Sequence, residues 1–380
     1  MGCAGGVAGA LHACSSSDSP AAAVPDASVF VTDAGVVLQK VTPRVVIADQ
    51  GDAGAVHVDP DVINAWGLAF SPSGIAWISD NGTGKSTLFP PNADGGPIPS
   101  VIVPAPSEAV AMDAGATSSP TGVRLNTNSS AFFGDVFIFA TEDGTVAGWQ
   151  PSVPTMAQVR VDSSAGSPTN NAVYKGLAIV PTTPPRLVAA NFRSGAIDVF
   201  DANYRQLSTV MVSAPRVFSD PTIPAGYAPF NVATLGQNVV VTYAVQDAAK
   251  QNNVAGKGLG AVSVFNFSGA LVKSLIPVTS GGPLNAPWGL AVAPAGWGAL
   301  GGDLIVGNFG DGTIHAFSTL TGALNGQLVG PSGSPLVIDG LWATVFGNNA
   351  DAGVSPNALF FTSGPNMENN GRFGVLTLPQ

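Results

Sequence analysis

The sequence predicts an all-β protein, a β-propeller of six four-stranded antiparallel blades, and three observations predict it. The composition is turn-rich: of 380 residues 47 are Gly and 31 Pro, while only 10% are charged, so the Glu-, Lys-, Ala- and Leu-rich runs that long helices need are missing. Short runs of Val, Ile, Leu and Phe are punctuated by Gly, Asn, Asp and Pro, as in residues 285–317, where GLAVAP, DLIVGNF and TIHAF are split by glycine-rich turns. The plan also recurs. Gly67, Gly122, Gly176, Asn231, Gly289 and Ala343 open six equivalent units at spacings of 55, 54, 55, 58 and 54 residues. Four antiparallel strands repeated radially make a propeller, which usually has about four to eight blades.

From the N-terminus, residues 1–14 (MGCAGGVAGALHAC) are small and apolar. They end in Leu11-His12-Ala13-Cys14, which resembles a bacterial lipobox with Cys14 as the lipidation site; the leader lacks a basic n-region, and His12 is unusual there. Residues 15–42, rich in Ser, Ala, Pro and Asp, read as a disordered tether. The expected localisation is export to the cell envelope as a lipoprotein, with secretion as the alternative. No later segment approaches the roughly 20 apolar residues of a membrane helix, so membrane contact is expected through the lipid anchor alone. Cys3 and Cys14 are the only cysteines, so the folded part, residues 43–380, has no disulfide.

A lone strand at 44–48 (RVVIA) precedes the first unit, and the sixth unit runs out after its third strand. The lone strand is expected to pair with the last blade and close the ring, removing an exposed sheet edge. Between these ends, second strands read as IAWISD, DVFIFATE, RLVAAN, NVVVTYAVQD, DLIVGNF and NALFFTS, and third strands as STLF, GTVAGW, GAIDVF, GAVSVF, GTIHAF and FGVLTL. Fourth strands follow at places such as 101–104 and 271–276. The net charge of -10, with 14 Lys and Arg scattered singly, excludes a nucleic-acid partner on electrostatic grounds. A monomer is expected.

The repeat GNFGDGTIHAF resembles NHL-repeat propellers. NAWGLAF (64–70), FIFATEDGTVAGW (137–149), VYKGLAI (173–179), PAGYAPFNV (224–232), LNAPWGLA (284–291) and IDGLW (338–342) are similar to a group of uncharacterised exported bacterial proteins, some with PEP-CTERM tails. The resemblance implies fold and export and no particular activity.

In such a ring, the loops entering the inner strands and the turns after the second strands share one face around the axis. Asn64, Trp66, Lys175, Asn231, Asn285, Trp288 and Asp339 are the candidate ligand contacts at that mouth. Asp80, Glu142, Asn191, Asp247 and Asn308 are the candidate metal ligands, an oxygen set suited to Ca²⁺ or another divalent cation. Gluconolactonase-like propellers use a Glu, Asn and Asp set of this kind to open lactones. Glu142 and Lys175 are the candidate catalytic groups. Glu142 is one of three glutamates, beside Glu108 and Glu368, which read as loop residues, and Lys175 sits where other units carry Trp66, Thr121, Phe230, Trp288 and Trp342. Lys175 can bind an anion or pair with Glu142, and the tryptophans can stack on a flat ligand or pack between blades. Asp and Asn at blade turns also have a plainer use, bonding turn N–H groups.

His57 and His315 are the only histidines beyond the leader, too few for a His₃ zinc site and poor material for a nucleophilic triad. Residues 82–87 (GTGKST) have the wrong spacing for a phosphate loop and precede a strand. The reading is a non-catalytic propeller binding a small ligand, a cation or a protein partner at its mouth. A divalent-metal-dependent lactonase or lyase is the alternative; no cofactor is required by the sequence.

Overall fold

The computed structural model describes residues 29–32, 35–51, 54–90, 98–106, 116–164, 171–207, 217–349 and 354–379. Six antiparallel sheets follow one another around a ring, each inner strand packed against that of the next blade. There is no α-helix among the described residues. Blade 1 comprises Ala65–Phe70, Ala76–Asp80, Lys85–Phe89 and Ile98–Ile102. Blade 2 comprises Pro120–Leu125, Phe137–Thr141, Thr145–Trp149 and Gln158–Asp162. Blade 3 shows Tyr174–Val180, Arg186–Asn191 and Ala196–Phe200. Blade 4 comprises Tyr227–Leu235, Asn238–Gln246, Ala261–Phe265 and Leu271–Ile276. Blade 5 comprises Pro287–Val292, Leu304–Asn308, Ile314–Phe317 and Leu324–Val329.

Blade 6 takes three strands from the C-terminus, Leu341–Phe346, Leu359–Ser363 and Arg372–Thr377, and its fourth from Thr42–Ala48. That fourth strand lies antiparallel to Arg372–Thr377, with Val45 opposite Gly374. The two ends of the chain therefore close the ring in one sheet, as the lone strand at 44–48 leads one to expect.

Part of the segment read as a tether is instead ordered. Val37–Lys40 lies parallel to Leu324–Val329, and Val29–Val31 pairs back onto it, so blade 5 gains two strands. The cause is local. Gln39 is fully buried and its Oε1 accepts from Ala299 N at 3.0 Å, while Val41 packs into the core between blades 5 and 6. A sheet edge left open is a liability, and the chain covers this one with its own strand. Cys14, the leader and Glu108 lie outside the described residues.

One irregularity repeats six times and sets the geometry of the axis. In every blade the inner strand carries one extra residue relative to the second strand, at 66–67, 121–122, 175–176, 230, 288 and 342–343. Such a bulge breaks strict alternation and re-aims side chains. The residues it re-aims are Trp66, Thr121, Lys175, Phe230, Trp288 and Trp342. Beside them the blades approach so closely that a Cβ on Gly67 would lie 2.2 Å from Thr121 O.

Candidate binding site at the axial mouth

The bulged aromatic residues close the channel. Trp66 stacks on Trp342 at 3.5 Å between ring centroids, Trp342 stacks on Phe309 at 3.9 Å, and Trp288 meets both tryptophans edge-on. Phe230 packs against Trp342, and Phe192 against Phe230. Trp66 and Trp288 come from blades separated by a third, so the cluster spans the axis. Trp66, Trp288 and Trp342 are each at most 2% exposed. Their rings are spent on one another, and no face is left for the stacking ligand that the sequence also allows.

Above this floor lies a connected polar group. Lys175 Nζ donates to Glu142 Oε1 and sits 5.2 Å from the centre of the Trp66 ring and 5.8 Å from that of Phe192. Asn81 Nδ2 donates to the other carboxylate oxygen, Glu142 Oε2, at 3.0 Å. Asn64 Nδ2 donates to Asn81 Oδ1 at 3.1 Å and to Glu368 Oε2 at 2.7 Å, and its own Oδ1 accepts from Trp342 Nε1 at 2.8 Å. Trp288 Nε1 donates to the Lys175 carbonyl at 2.9 Å. Five blades thus meet in one network: 1 (Asn64, Asn81), 2 (Glu142), 3 (Lys175), 5 (Trp288) and 6 (Trp342, Glu368).

Glu368 arrives on the turn of residues 364–371 between the second and third strands of blade 6. Asn366, Met367 and Glu368 all have left-handed φ, at 56°, 53° and 67°, each costing roughly 1 kcal/mol for a residue with a side chain. The turn is pinned by Asn366 N donating to Asp339 Oδ2 at 2.9 Å and by Gly371 N and Asn370 Nδ2 donating to Asp49. Asp339 therefore supports the mouth by holding this turn.

The charge balance is two carboxylates against one ammonium. Burial, and then the negative charge of Glu142, push the Glu368 carboxyl above its ordinary value of 4.5. The folded chain holds that proton more tightly than the unfolded one, so its contribution to stability declines as pH rises from about 4.5 through the raised value. Glu368→Gln, which can still accept from Asn64, is expected to remove that part of the decline. Urea unfolding of both proteins at several pH values checks it, the difference being largest at neutral pH and vanishing near pH 4.

The five candidate metal ligands do not converge. Asp80, Asn191 and Asn308 end second strands with their side chains turned into their own blades. Asp80 is fully buried and accepts from Thr87 N at 2.8 Å, and burial pushes its carboxyl well above the usual range. Asn191 donates to Asp198 at 2.9 Å, and Asn308 donates to Pro283 O and Thr313 Oγ1. Asp247 accepts from Gln251 N within its own loop. Of the five, only Glu142 faces the axis. Among the described residues no group of three or more His, Cys, Asp or Glu is placed to hold a metal ion. His315 is buried, which pulls it down to about 4 and keeps it neutral.

The ligand candidates divide. Asn64, Trp66, Lys175 and Trp288 belong to the network or its floor. Asn231 instead bonds the Trp288 carbonyl, stitching blade 4 to blade 5, and Asn285 donates to Asp311 while accepting from Gly256 N. Glu368, read from the sequence as a loop residue, is the member of the network that sequence reasoning passed over. A usable signal for Glu368 was the length of its turn: eight residues separate the strands of blade 6 there, against four in blade 1.

Fold and site together define a six-bladed β-propeller with an aromatic-sealed axis and a charged, one-sided mouth. The chain matches no protein-family model. It is 32% identical over 345 residues to the uncharacterized protein R648 of Acanthamoeba polyphaga mimivirus, covering 86% of this chain and 78% of that one. With the uncharacterized protein L690 of the same virus it shares 32% identity over 302 residues, 76% of this chain and 74% of the relative. The chain belongs to the family of these mimivirus proteins. That finding corrects the expectation of an exported bacterial group. Among solved structures, a glucose dehydrogenase superposes with a TM-score of 0.51 at 12% identity, over 83% of this chain and 96% of that one, and shows the propeller fold alone.

Proposed function

We propose that the protein is a non-catalytic binding propeller whose axial mouth takes a small ligand rich in hydrogen-bond donors, an amine above all. The observation that supports this most is the Glu142–Asn81–Asn64–Glu368 arrangement standing over a sealed aromatic floor. It gathers net negative charge at the mouth, and a cation or donor is what that charge attracts. Lys175 lies beneath this polar group, paired with Glu142 between the Trp66 and Phe192 rings. The aromatic rings beneath it favour a positive group in the same way.

The experiment is a thermal-shift titration with putrescine, glucose and CaCl₂ as probes, on the wild type and on Glu368→Gln. Putrescine is expected to raise the Tm of the wild type and to have a smaller effect on the variant. A shift from CaCl₂ alone would favour the metal-dependent lactonase or lyase reading. No shift from any probe at millimolar concentration would contradict a small-ligand site. Export and lipidation at Cys14 belong to the proposal as its cellular part, tested by labelling with a radioactive fatty acid and repeating with Cys14→Ser.

A further inference from the structure

Asn81 and Lys175 share one hydrogen-bonding partner, the Glu142 carboxylate. Glu142 bridges the other two, one oxygen accepting from Lys175 Nζ and the other from Asn81 Nδ2 at 3.0 Å. The amide oxygen of Asn81 accepts from Asn64 Nδ2 at 3.1 Å, and Asn64 is itself oriented by Trp342 Nε1. The Asn81 amide therefore has a donor on its oxygen, a carboxylate on its nitrogen, and an amine held by the far side of that carboxylate. The Lys175 side chain is only 3% exposed and lies between the Trp66 and Phe192 rings, which keeps water, the competing nucleophile, away.

We propose that Lys175 and Asn81 form an intramolecular isopeptide cross-link, with Glu142 as the proton relay. Lys175 gives a proton to Glu142, and the resulting amine attacks Asn81 Cγ. Negative charge develops on Oδ1, where Asn64 Nδ2 already donates, the kind of preorganised donor that stabilises a tetrahedral intermediate. The Cγ–Nδ2 bond then breaks. Two of the three ammonium protons of Lys175 pass over Glu142 to the departing nitrogen, which leaves as ammonium. One C–N bond forms and one breaks, with no oxidant and no co-reactant. Amine and amide are held by the same carboxylate, and bringing them together there raises the effective concentration that such an acyl transfer requires. The product ties blade 1 to blade 3 across the mouth. The inference does not rest on the ligand reading, because its readout is the mass of the chain.

The test is peptide mapping of the full-length wild-type chain by mass spectrometry. The expected result is a linked pair of peptides containing Asn81 and Lys175, lighter by about 17 Da for the lost ammonia. Glu142→Gln and Lys175→Arg should each abolish the linked pair. Recovery of separate wild-type peptides at unmodified mass would overturn the proposal. So would an ammonia loss confined to the Asn81 peptide, since Asn81 precedes Gly82 and can cyclise onto its nitrogen. The structure opposes that route, because Gly82 N is engaged in donating to Ile63 O at 3.0 Å.

Discussion

Glu142→Ala is expected to lower the stability of the protein by about 3–5 kcal/mol, because it leaves a buried ammonium without its partner. Lys175 is almost wholly enclosed, and beyond Glu142 its Nζ faces the rings of Trp66 and Phe192. Cation–π attraction of roughly 0.5–2 kcal/mol does not offset the loss of the carboxylate. Without its relay the Lys175–Asn81 amide does not form either, so both effects act in the same direction. Lys175→Met lacks the Lys175–Asn81 amide as well and should cost less than Glu142→Ala, since it leaves no buried ammonium and Glu142 keeps its bond from Asn81. The double variant Lys175→Met/Glu142→Gln carries no buried charge and should be more stable than Glu142→Ala. Urea unfolding of the three variants reads these differences. A Glu142→Ala protein within about 1 kcal/mol of wild type would mean that the pair is not buried as described.

Gly67→Ala is expected to cost about 1–3 kcal/mol or more by overpacking the ring. The added methyl would lie 2.2 Å from Thr121 O and 2.9 Å from Val123 N, both backbone atoms of the neighbouring blade. Neither can swing aside as a side chain would, so two blades must separate along their inner strands. Gly296→Ala is the control. Its methyl would meet nothing nearer than Asn357 Oδ1 at 3.7 Å, on an exposed turn without left-handed φ, and should change stability by less than about 0.5 kcal/mol. Equal thermal shifts in the two variants would contradict close inter-blade contact at Gly67.

The period of the openings showed the blade number, and RVVIA showed how the ring closes, because both depend on apolar runs that only pairing can bury. The phase of the mouth was harder to read. Asp80, Asn191 and Asn308 look like axial oxygens, yet each faces its own turn, and it is the next residue in the chain that faces the axis: Asn81, Phe192 and Phe309. Strand alternation has period two, so a one-residue error exchanges the two faces entirely. The inner-strand bulge adds a second ambiguity, since it breaks that alternation where Trp66 and Lys175 sit. In the N-terminal segment, the run VVLQK was outweighed by the surrounding Ser, Ala and Asp. What orders it is a parallel pairing with Leu324–Val329, almost 300 residues away, which composition does not reveal.

The central claim is that the polar group above the tryptophan floor is where a ligand binds, and the six indole N–H groups of the chain report on it directly. In a titration of ¹⁵N-labelled protein with putrescine, the Trp342 signal should move most, because its N–H donates to Asn64 at the mouth. Trp149, bonded to Pro154 O on blade 2, and Trp297, beside Phe346 in the outer part of the ring, should stay still. Movement of Trp149 or Trp297 with Trp342 unchanged would place binding elsewhere on the propeller and contradict the account.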